Sequence, residues 1–329
     1  MKQRELGTSG VHVSLVTLGT WAIGGFMWGG SDERRAIEAI QRSIDLGVTA
    51  IDTAPVYGCG LSESIVGKAI AGRRDQVALL TKFGLSWGDP GGWKFWESPG
   101  IDGRPVKVYY DTRKATVIRE CEASLRRLRT DRIDLYQQHW PDSDTPFEEP
   151  MSALEQLLKE GKIRAAGVSN FSADLLAQAR ARVPIATAQS PYSLLKRTIE
   201  KDLVPYCIQH GIAILAYSPL ERGLLAGAVS AERVFAATDH RSRLPMFSSE
   251  NRERVNAALE TIRPIAKRHG ATLAQAAIHW TIRRPGITTA LVGARDAKQA
   301  EENAAAAALN FDDAEIEAMT AAMEHLAKR

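Results

Sequence analysis

A rhythm constrains this chain more than any single motif: short apolar runs alternate with helical patterns eight times. Counting from Leu15, the runs cover 15–20, 48–52, 77–82, 133–138, 163–168, 185–189, 212–217 and 287–292. Each is followed by apolar residues at helical spacing. The first helix opens at Ser31-Asp32-Glu33, carries Ala36, Ile37, Ile40 and Ile44, and stops at Gly47; the others cover 62–71, 113–128, 148–160, 172–181, 198–210, 271–284 and 296–308. Strands alternating with helices pair in parallel, and eight such units close into a barrel. We therefore expect an α/β fold, a (β/α)8 TIM barrel forming a single domain over residues 1–329. A β-hairpin around Leu6-Gly7-Thr8-Ser9-Gly10 should precede it. Long loops are expected after the third strand (84–112) and the seventh (218–270), with an extra helix from about Ser249 to His269 and another over 312–327 capped by Asp312-Asp313.

Composition matters mainly for what it excludes. A net charge of +3 argues against nucleic acid or an anionic membrane as the main partner, though it leaves room for a phosphate-bearing ligand. Cys59, Cys121 and Cys207 lie far apart with no Cys-x-x-Cys spacing, so neither a disulfide framework nor a zinc knuckle is expected. There is no apolar run of membrane-spanning length and no signal-like apolar stretch near Met1, so the expected location is the cytoplasm. No Gly-x-Gly-x-x-Gly opens a helix, and the histidines form no metal-ligand pairs, so neither a Rossmann-type nucleotide site nor a metal site is expected.

In such a barrel the carboxyl ends of the strands converge on one mouth, where catalytic groups sit. Read in order, those ends carry Thr20-Trp21, Asp52 with Tyr57, Lys82, His139, Ser169-Asn170, Gln189, Tyr217-Ser218 and Gly293-Ala294-Arg295. Individually, Asp52 is a plausible strand cap, Lys82 a solvated charge and His139 a core histidine. Their appearance at successive strand ends points instead to a shared site. A phenol is a poor acid near neutrality, but an adjacent ammonium favours its ionised form, and a carboxylate keeps that ammonium charged. Such a tyrosine can protonate an oxygen that gains negative charge, as when hydride adds to a carbonyl. An imidazole can hold the same oxygen.

These motifs resemble the aldo-keto reductase family over essentially the whole chain. They are similar to the bacterial branch with inositol-utilisation and general-stress reductases, and more distantly to potassium-channel β subunits. The residues that carry the resemblance are Leu18-Gly19-Thr20-Trp21, Asp52-Thr53-Ala54-x-x-Tyr57-Gly58-x-Gly60-x-Ser62-Glu63, Thr81-Lys82, Asp134 through His139, Gly161-Lys162-Ile163-Arg164, Gly167 through Phe171, Gln189, Tyr217-Ser218-Pro219-Leu220, and Gly293-Ala294-Arg295 through Glu302-Asn303. The resemblance implies an NADPH-dependent oxidoreductase acting on an aldehyde or ketone, reversibly on the alcohol, with a small-molecule partner. Tyr57 would be the proton donor, Lys82 and Asp52 its tuning pair, and His139 the orienting residue.

The resemblance also implies a cofactor site for NADP(H). Ser169, Asn170 and Gln189 would hold the nicotinamide carboxamide and Tyr217 would stack on the ring, with Thr20, Trp21 and Asp52 nearby. Ser218, Leu220 and Arg222 would meet the pyrophosphate. Gly293 and Arg295 would receive the 2′-phosphate at a helix start, which favours NADPH over NADH. Gln299, Glu302 and Asn303 would face the adenine. Trp21, Tyr57, His139 and Trp140 would line the substrate pocket, joined by the aromatic residues Trp87, Trp93 and Trp96 of the 84–112 segment. The rival reading is a nicotinamide-binding regulatory or redox-sensing subunit with incidental turnover; an intact His139 argues against it.

Two departures stand out. Many relatives carry a lysine after Leu-x-Gly in the seventh loop, where this chain has Gly227-Ala228. Arg222 or Arg241 would have to substitute, although Arg241 in Asp239-His240-Arg241 is equally placed for a loop salt bridge. Cys59 lies inside the Tyr57 loop, either as a small filler or as an oxidation-sensitive thiol.

Overall fold

A computed structural model describes all residues except 26, 27, 29, 88–91, 100–103, 237, 238, 328 and 329. Strands β1 (Gln3–Glu5) and β2 (His12–Ser14) form the expected antiparallel hairpin. The barrel strands are β3 (Val16–Gly19), β4 (Ala50–Asp52) and β5 (Ala78–Phe83), then, after three strands outside the barrel described next, β9 (Ile133–Gln138), β10 (Ile163–Ser169), β11 (Ile185–Pro191), β12 (Ala213–Tyr217) and β13 (Ile287–Gly293). They close in that order, each paired in parallel with the next and β13 with β3.

The segment after β5 is more ordered than a loop. It holds β6 (Leu85–Trp87), β7 (Trp93–Pro99) and β8 (Pro105–Tyr110), an antiparallel sheet in the order β6-β8-β7. The alternation in Pro105-Val-Lys-Val-Tyr-Tyr110 is a strand signal that its aromatic richness obscures. This sheet covers the Tyr57 loop, packing Leu85 and Val108 against Ala54, Val56 and Cys59.

Around the barrel lie α1 (Glu33–Asp45), α2 (Leu61–Ala69), α3 (Lys114–Leu128), α4 (Glu148–Lys159), α5 (Ala173–Arg180), α6 (Leu203–His210), α7 (Ser249–Arg268), α8 (Leu273–Arg283), α9 (Ala297–Ala305) and α10 (Asp313–Met323). In α1 the side chain of Asp32 accepts the Arg35 amide, and Ala36, Ala39, Ile40, Ser43 and Ile44 form the buried stripe. Helix α6 begins at Leu203 rather than 198, with a separate 3-10 turn over Thr198–Glu200. A helix running through from 198 would place Pro205 in its interior, whereas Pro is tolerated in a first turn. Helices α7 and α10 are the two extra helices expected. Among the described residues no helix is long and apolar enough to cross a membrane.

Inside the barrel, Ala50, Leu80, Leu135, Ala165, Ala213, Leu215 and Leu291 form an apolar plug, and Leu6, Val11 and Val13 of the hairpin close its lower end. The larger core, between strands and helices, includes Ile40, Ile51, Leu79, Tyr136 and Leu154.

Candidate active site

The carboxyl end of β4 is fixed before any functional group is considered. The Thr20 amide and hydroxyl both donate to the Asp52 carbonyl, at 2.9 and 3.0 Å. Beyond it, residues 54–60 turn tightly against the end of β3. A Cβ at Gly24 would stand 2.6 Å from the Tyr57 carbonyl carbon, and one at Gly58, which has φ +66°, would stand 2.4 Å from the Gly24 oxygen. Only glycines allow this approach. Below the turn, the buried Glu63 carboxylate accepts from Thr81 Oγ1 and Arg127 Nε, each at 2.7 Å, tying α2 to β5 and α3. Tyr57 is therefore held by backbone contact as well as by its own side chain.

The four expected side chains meet. Lys82 Nζ, fully buried, donates to Asp52 Oδ1 at 2.5 Å, to the Thr53 carbonyl at 2.9 Å and to Tyr57 Oη at 3.3 Å. The Tyr57 and His139 rings lie 5.9 Å apart, nearly perpendicular. The His139 amide donates to the Phe83 carbonyl, so β5 and β9 position Lys82 and His139 together.

Electrostatics differ in one respect from the simple expectation that Lys82 lowers the phenol. Burial dominates and raises Tyr57 above its ordinary value; the Lys82 charge opposes the shift without cancelling it. Burial would lower the Lys82 ammonium, but Asp52, Tyr57 and the hydrogen bonds to both leave it raised. His139 is driven well below its ordinary value by burial, aided by Lys82, so its imidazole is neutral. At neutral pH the site holds a protonated phenol, an ammonium–carboxylate pair and a neutral imidazole.

The opposite side of the mouth carries the amide-rich arc. Asn170, in the left-handed region at φ +63°, donates to the His139 carbonyl at 3.0 Å and to Ser169 Oγ at 3.1 Å, and accepts from Tyr217 Oη at 2.8 Å. Gln189 Nε2 donates to Asp52 Oδ2 at 2.9 Å. After Tyr217 the chain turns through left-handed Ser218, Glu221 and Arg222, which places the Arg222 guanidinium 5.9 Å above the Trp21 ring.

A family model described as Aldo/keto reductase family matches residues 15–324. The chain belongs to the aldo-keto reductase family. Aldo-keto reductase YhdN of Bacillus subtilis is 41% identical over 92% of this chain and 87% of its own length. The NADH-specific methylglyoxal reductase of Escherichia coli is 36% identical, over 99% of both chains. Among solved structures, the glycerol dehydrogenase AKR11B4 from Gluconobacter oxydans superposes with a TM-score of 0.86 at 39% identity, covering 98% of this chain and 95% of that one. An aldo-keto reductase from Klebsiella pneumoniae, solved with NADP and acetate, gives 0.73 at 30% identity, covering 100% and 97%. This chain is accordingly an NAD(P)H-dependent oxidoreductase of the aldo-keto reductase family.

The residues present fit such a cofactor. The Ser169 hydroxyl accepts from Asn170, which leaves its own hydrogen to donate, and among the described residues no donor reaches Gln189 Oε1. A carboxamide needs one donor and one acceptor of this kind. Trp28 Nε1 and Arg222 Nε, both next to Trp21, are buried without a partner among the described residues, two donors that an anion could satisfy. Arg222 thus keeps a side-chain donor uncommitted among the described residues. Arg241 is committed to Asp239, to which its Nε and Nη2 donate at 2.6–3.1 Å.

At the adenosine end the expected residues are close together but differently engaged. Arg295 reaches the Trp28 carbonyl at 3.4 Å and is otherwise exposed. Its backbone amide donates to Gln299 Oε1, while Asp296 caps α9 by accepting the Gln299 amide. With that cap in place, the Arg295 and Gln299 amides at the helix start are already engaged, so it offers an anion less than expected. Asn303 donates to the Gly293 carbonyl at 3.0 Å, and Glu302 accepts from Thr272 Oγ1 at 2.8 Å at the start of α8. Gln299 and Asn303 thus brace β13 and α9 in this structure.

Sequence reasoning did not single out Trp28, His240, Gln137 or Asp142. The His240 ring sits 5.1 Å from Trp21 and 5.0 Å from Trp28, packing the seventh loop onto the first. Asp142 accepts from Trp93 Nε1 at 2.5 Å, Thr112 Oγ1 at 2.9 Å and Thr145 Oγ1 at 2.7 Å, fastening the small sheet to the loop that follows His139. Trp93 is thus a fastening point, and Trp87 packs under Arg127. Trp140 is 40% exposed beside His139. Cys59 is buried beneath the sheet, 3.7 Å from Ser98 Oγ, and burial raises its thiol, the state of a filler. Among the described residues no group of three His, Cys, Asp or Glu side chains is arranged to hold a metal.

Proposed function

We propose that this protein reduces the carbonyl of an aldehyde or ketone, and oxidises the corresponding alcohol, with Tyr57 as the acid or base and NADP(H) as its cofactor in the cytoplasm. The observation that carries the reading is the Lys82 ammonium shared between Asp52 Oδ1 and Tyr57 Oη beside a neutral His139. NADPH, when bound, supplies the hydride. Tyr57 keeps its proton at neutral pH because it is buried, and gives it up as the carbonyl oxygen becomes negative. Lys82 then stabilises the phenolate left behind, and Asp52 keeps Lys82 charged through the exchange. His139, neutral, donates an N–H to the same oxygen and so aligns the carbonyl carbon.

Ser169, Asn170 and Gln189 would hold the carboxamide, with Tyr217 against the nicotinamide face and Thr20, Trp21 and Asp52 around the ring. Ser218, Leu220 and Arg222 would meet the pyrophosphate, Gly293 and Arg295 the 2′-phosphate, and Gln299, Glu302 and Asn303 the adenine. Trp21 and Trp140 would form the walls of a pocket for small carbonyls. Relatives named for methylglyoxal and glycerol support substrates of that size. The test is NADPH consumption by purified protein over a panel that includes glyceraldehyde, methylglyoxal and aromatic aldehydes. Steady oxidation of NADPH with at least one of them is expected; none across the panel would sink the reading.

A further inference from the structure

Gln137 is a fully buried amide that the reaction described so far does not use. It lies on β9 in register with Lys82 on β5 and with Gly167 on β10, and Gly167 in turn pairs with Thr187 on β11. A buried amide costs free energy unless it is bonded, and two of its three bonds here run to the site residues Asp52 and Gln189. Its Nε2 donates to Asp52 Oδ2 at 3.4 Å, and its Oε1 accepts from Gln189 Nε2 at 3.4 Å and from Thr187 Oγ1 at 3.5 Å. These bonds are long individually, but they agree in sense. Asp52 is an acceptor, so Gln137 turns its nitrogen toward it; Thr187 supplies a donor to the oxygen on the other side. Gln189 then meets two acceptors, Asp52 Oδ2 and Gln137 Oε1, with its own nitrogen, and among the described residues its oxygen receives no donor. The space for this layer depends on a missing side chain. A Cβ at Gly167 would lie 2.1 Å from Thr187 Oγ1 and 3.0 Å from Gln137 Cγ.

We propose that Gln137 is a positioning residue that fixes the amide orientation of Gln189, so that one carboxylate, Asp52, serves the proton donor through Lys82 and the nicotinamide subsite through Gln189. This rests on the reductase reading above. Without Gln137, the Gln189 amide loses one of the two acceptors that hold its nitrogen inward. Its orientation then rests on the single bond to Asp52 Oδ2, and the oxygen is less firmly directed at the carboxamide.

The test compares NADPH with 2′,5′-adenosine bisphosphate, which carries the 2′-phosphate and adenosine but no nicotinamide. Dissociation constants are measured by fluorescence quenching for wild type, Gln137→Met, Gln189→Met and the double variant, with thermal unfolding of each. Gln137→Met is expected to weaken NADPH about 10-fold and leave the fragment unchanged. In the Gln189→Met background it should have no further effect, because it acts through Gln189. Equal weakening of NADPH and the fragment, additive effects in the double variant, or unchanged NADPH affinity would each overturn the proposal. Should Gln137→Met not fold, Gln137→Asn, which keeps the amide but falls one methylene short of Asp52, carries the same comparison. If wild type consumes no NADPH with any carbonyl, the reductase reading fails; if it turns over normally and Gln137→Met is indistinguishable from it, only this inference fails.

Discussion

The lower and upper layers of the barrel interior are made by the same strands two residues apart. Ala50, Leu80, Leu135, Ala165, Leu215 and Leu291 form the apolar plug; one step of two residues gives Asp52, Lys82, Gln137, Gly167, Tyr217 and Gly293. That step is about 6.6 Å along a strand, and it keeps the side chain on the same face. Over this distance the interior changes from dispersion and dry packing to a connected set of hydrogen bonds around one buried ion pair. The lower layer can be dry because the hairpin seals it. The upper layer can hold charge because each charged or amide group in it finds a partner. Stability should therefore respond to changes below, and chemistry to changes above.

The sharpest way to break that division is Tyr57→Phe, which removes one hydroxyl from the upper layer and leaves the ring. Carbonyl reduction should fall by about 10²–10⁴-fold, the usual worth of a positioned acid, with the unfolding midpoint unchanged. A variant as fast as wild type would remove Tyr57 from the chemistry. Leu6→Ala is the opposite case. Leu6 is fully buried in the hairpin seal, and deleting its methyl groups should cost about 2–5 kcal/mol in denaturant unfolding. At low temperature the folded enzyme should keep its turnover. A large loss of kcat without loss of stability would mean that the seal shapes the mouth.

A smaller effect is expected from pH. Tyr57 must be protonated to act as an acid, and its shift is upward, so reductive kcat/KM should stay level through neutrality and decline only above about pH 10. Alcohol oxidation needs the phenolate and should rise over the same range. His139, held neutral by burial, should contribute no inflection near its ordinary value. A break in the profile around pH 6–7 would show that His139 is not held neutral.

How much of this could be read from the chain differs between the same two layers. The eight strands and their order follow from apolar runs and helical spacing, because the parallel barrel is buried on both faces and its strands are nearly continuous apolar stretches. Asp52, Lys82 and His139 were legible because a charged or titratable group ending an apolar run is conspicuous. Gln137 was not: it lies inside the run Tyr136-Gln137-Gln138, and only the register shows that it faces Lys82 rather than a helix. The aromatic segment after β5 reads in the sequence as a long loop beside the substrate pocket, not as a sheet, since strands of this kind depend on pairing with one another. At Arg295 the order of residues suggested an open helix start, and the competing cap from Asp296 is a side-chain choice that sequence alone does not rank.

That choice makes Arg295 the mildest and most discriminating test. If the guanidinium rather than the helix start attracts the 2′-phosphate, Arg295→Ala should weaken NADPH by about 10-fold or more, the worth of a charge-assisted hydrogen bond, and leave NADH nearly unchanged. Asp296→Asn keeps the cap but removes a negative charge, and should tighten NADPH slightly without touching NADH. Equal losses for both nucleotides in Arg295→Ala would place Arg295 in the contact with Trp28 instead, bracing the first loop. The E. coli relative, 36% identical over 99% of both chains, is named as NADH-specific, whereas the Klebsiella pneumoniae structure was solved with NADP. Of the residues proposed at this end, Gly293, Arg295, Gln299, Glu302 and Asn303, Arg295 alone is cationic, so nucleotide preference is tested there.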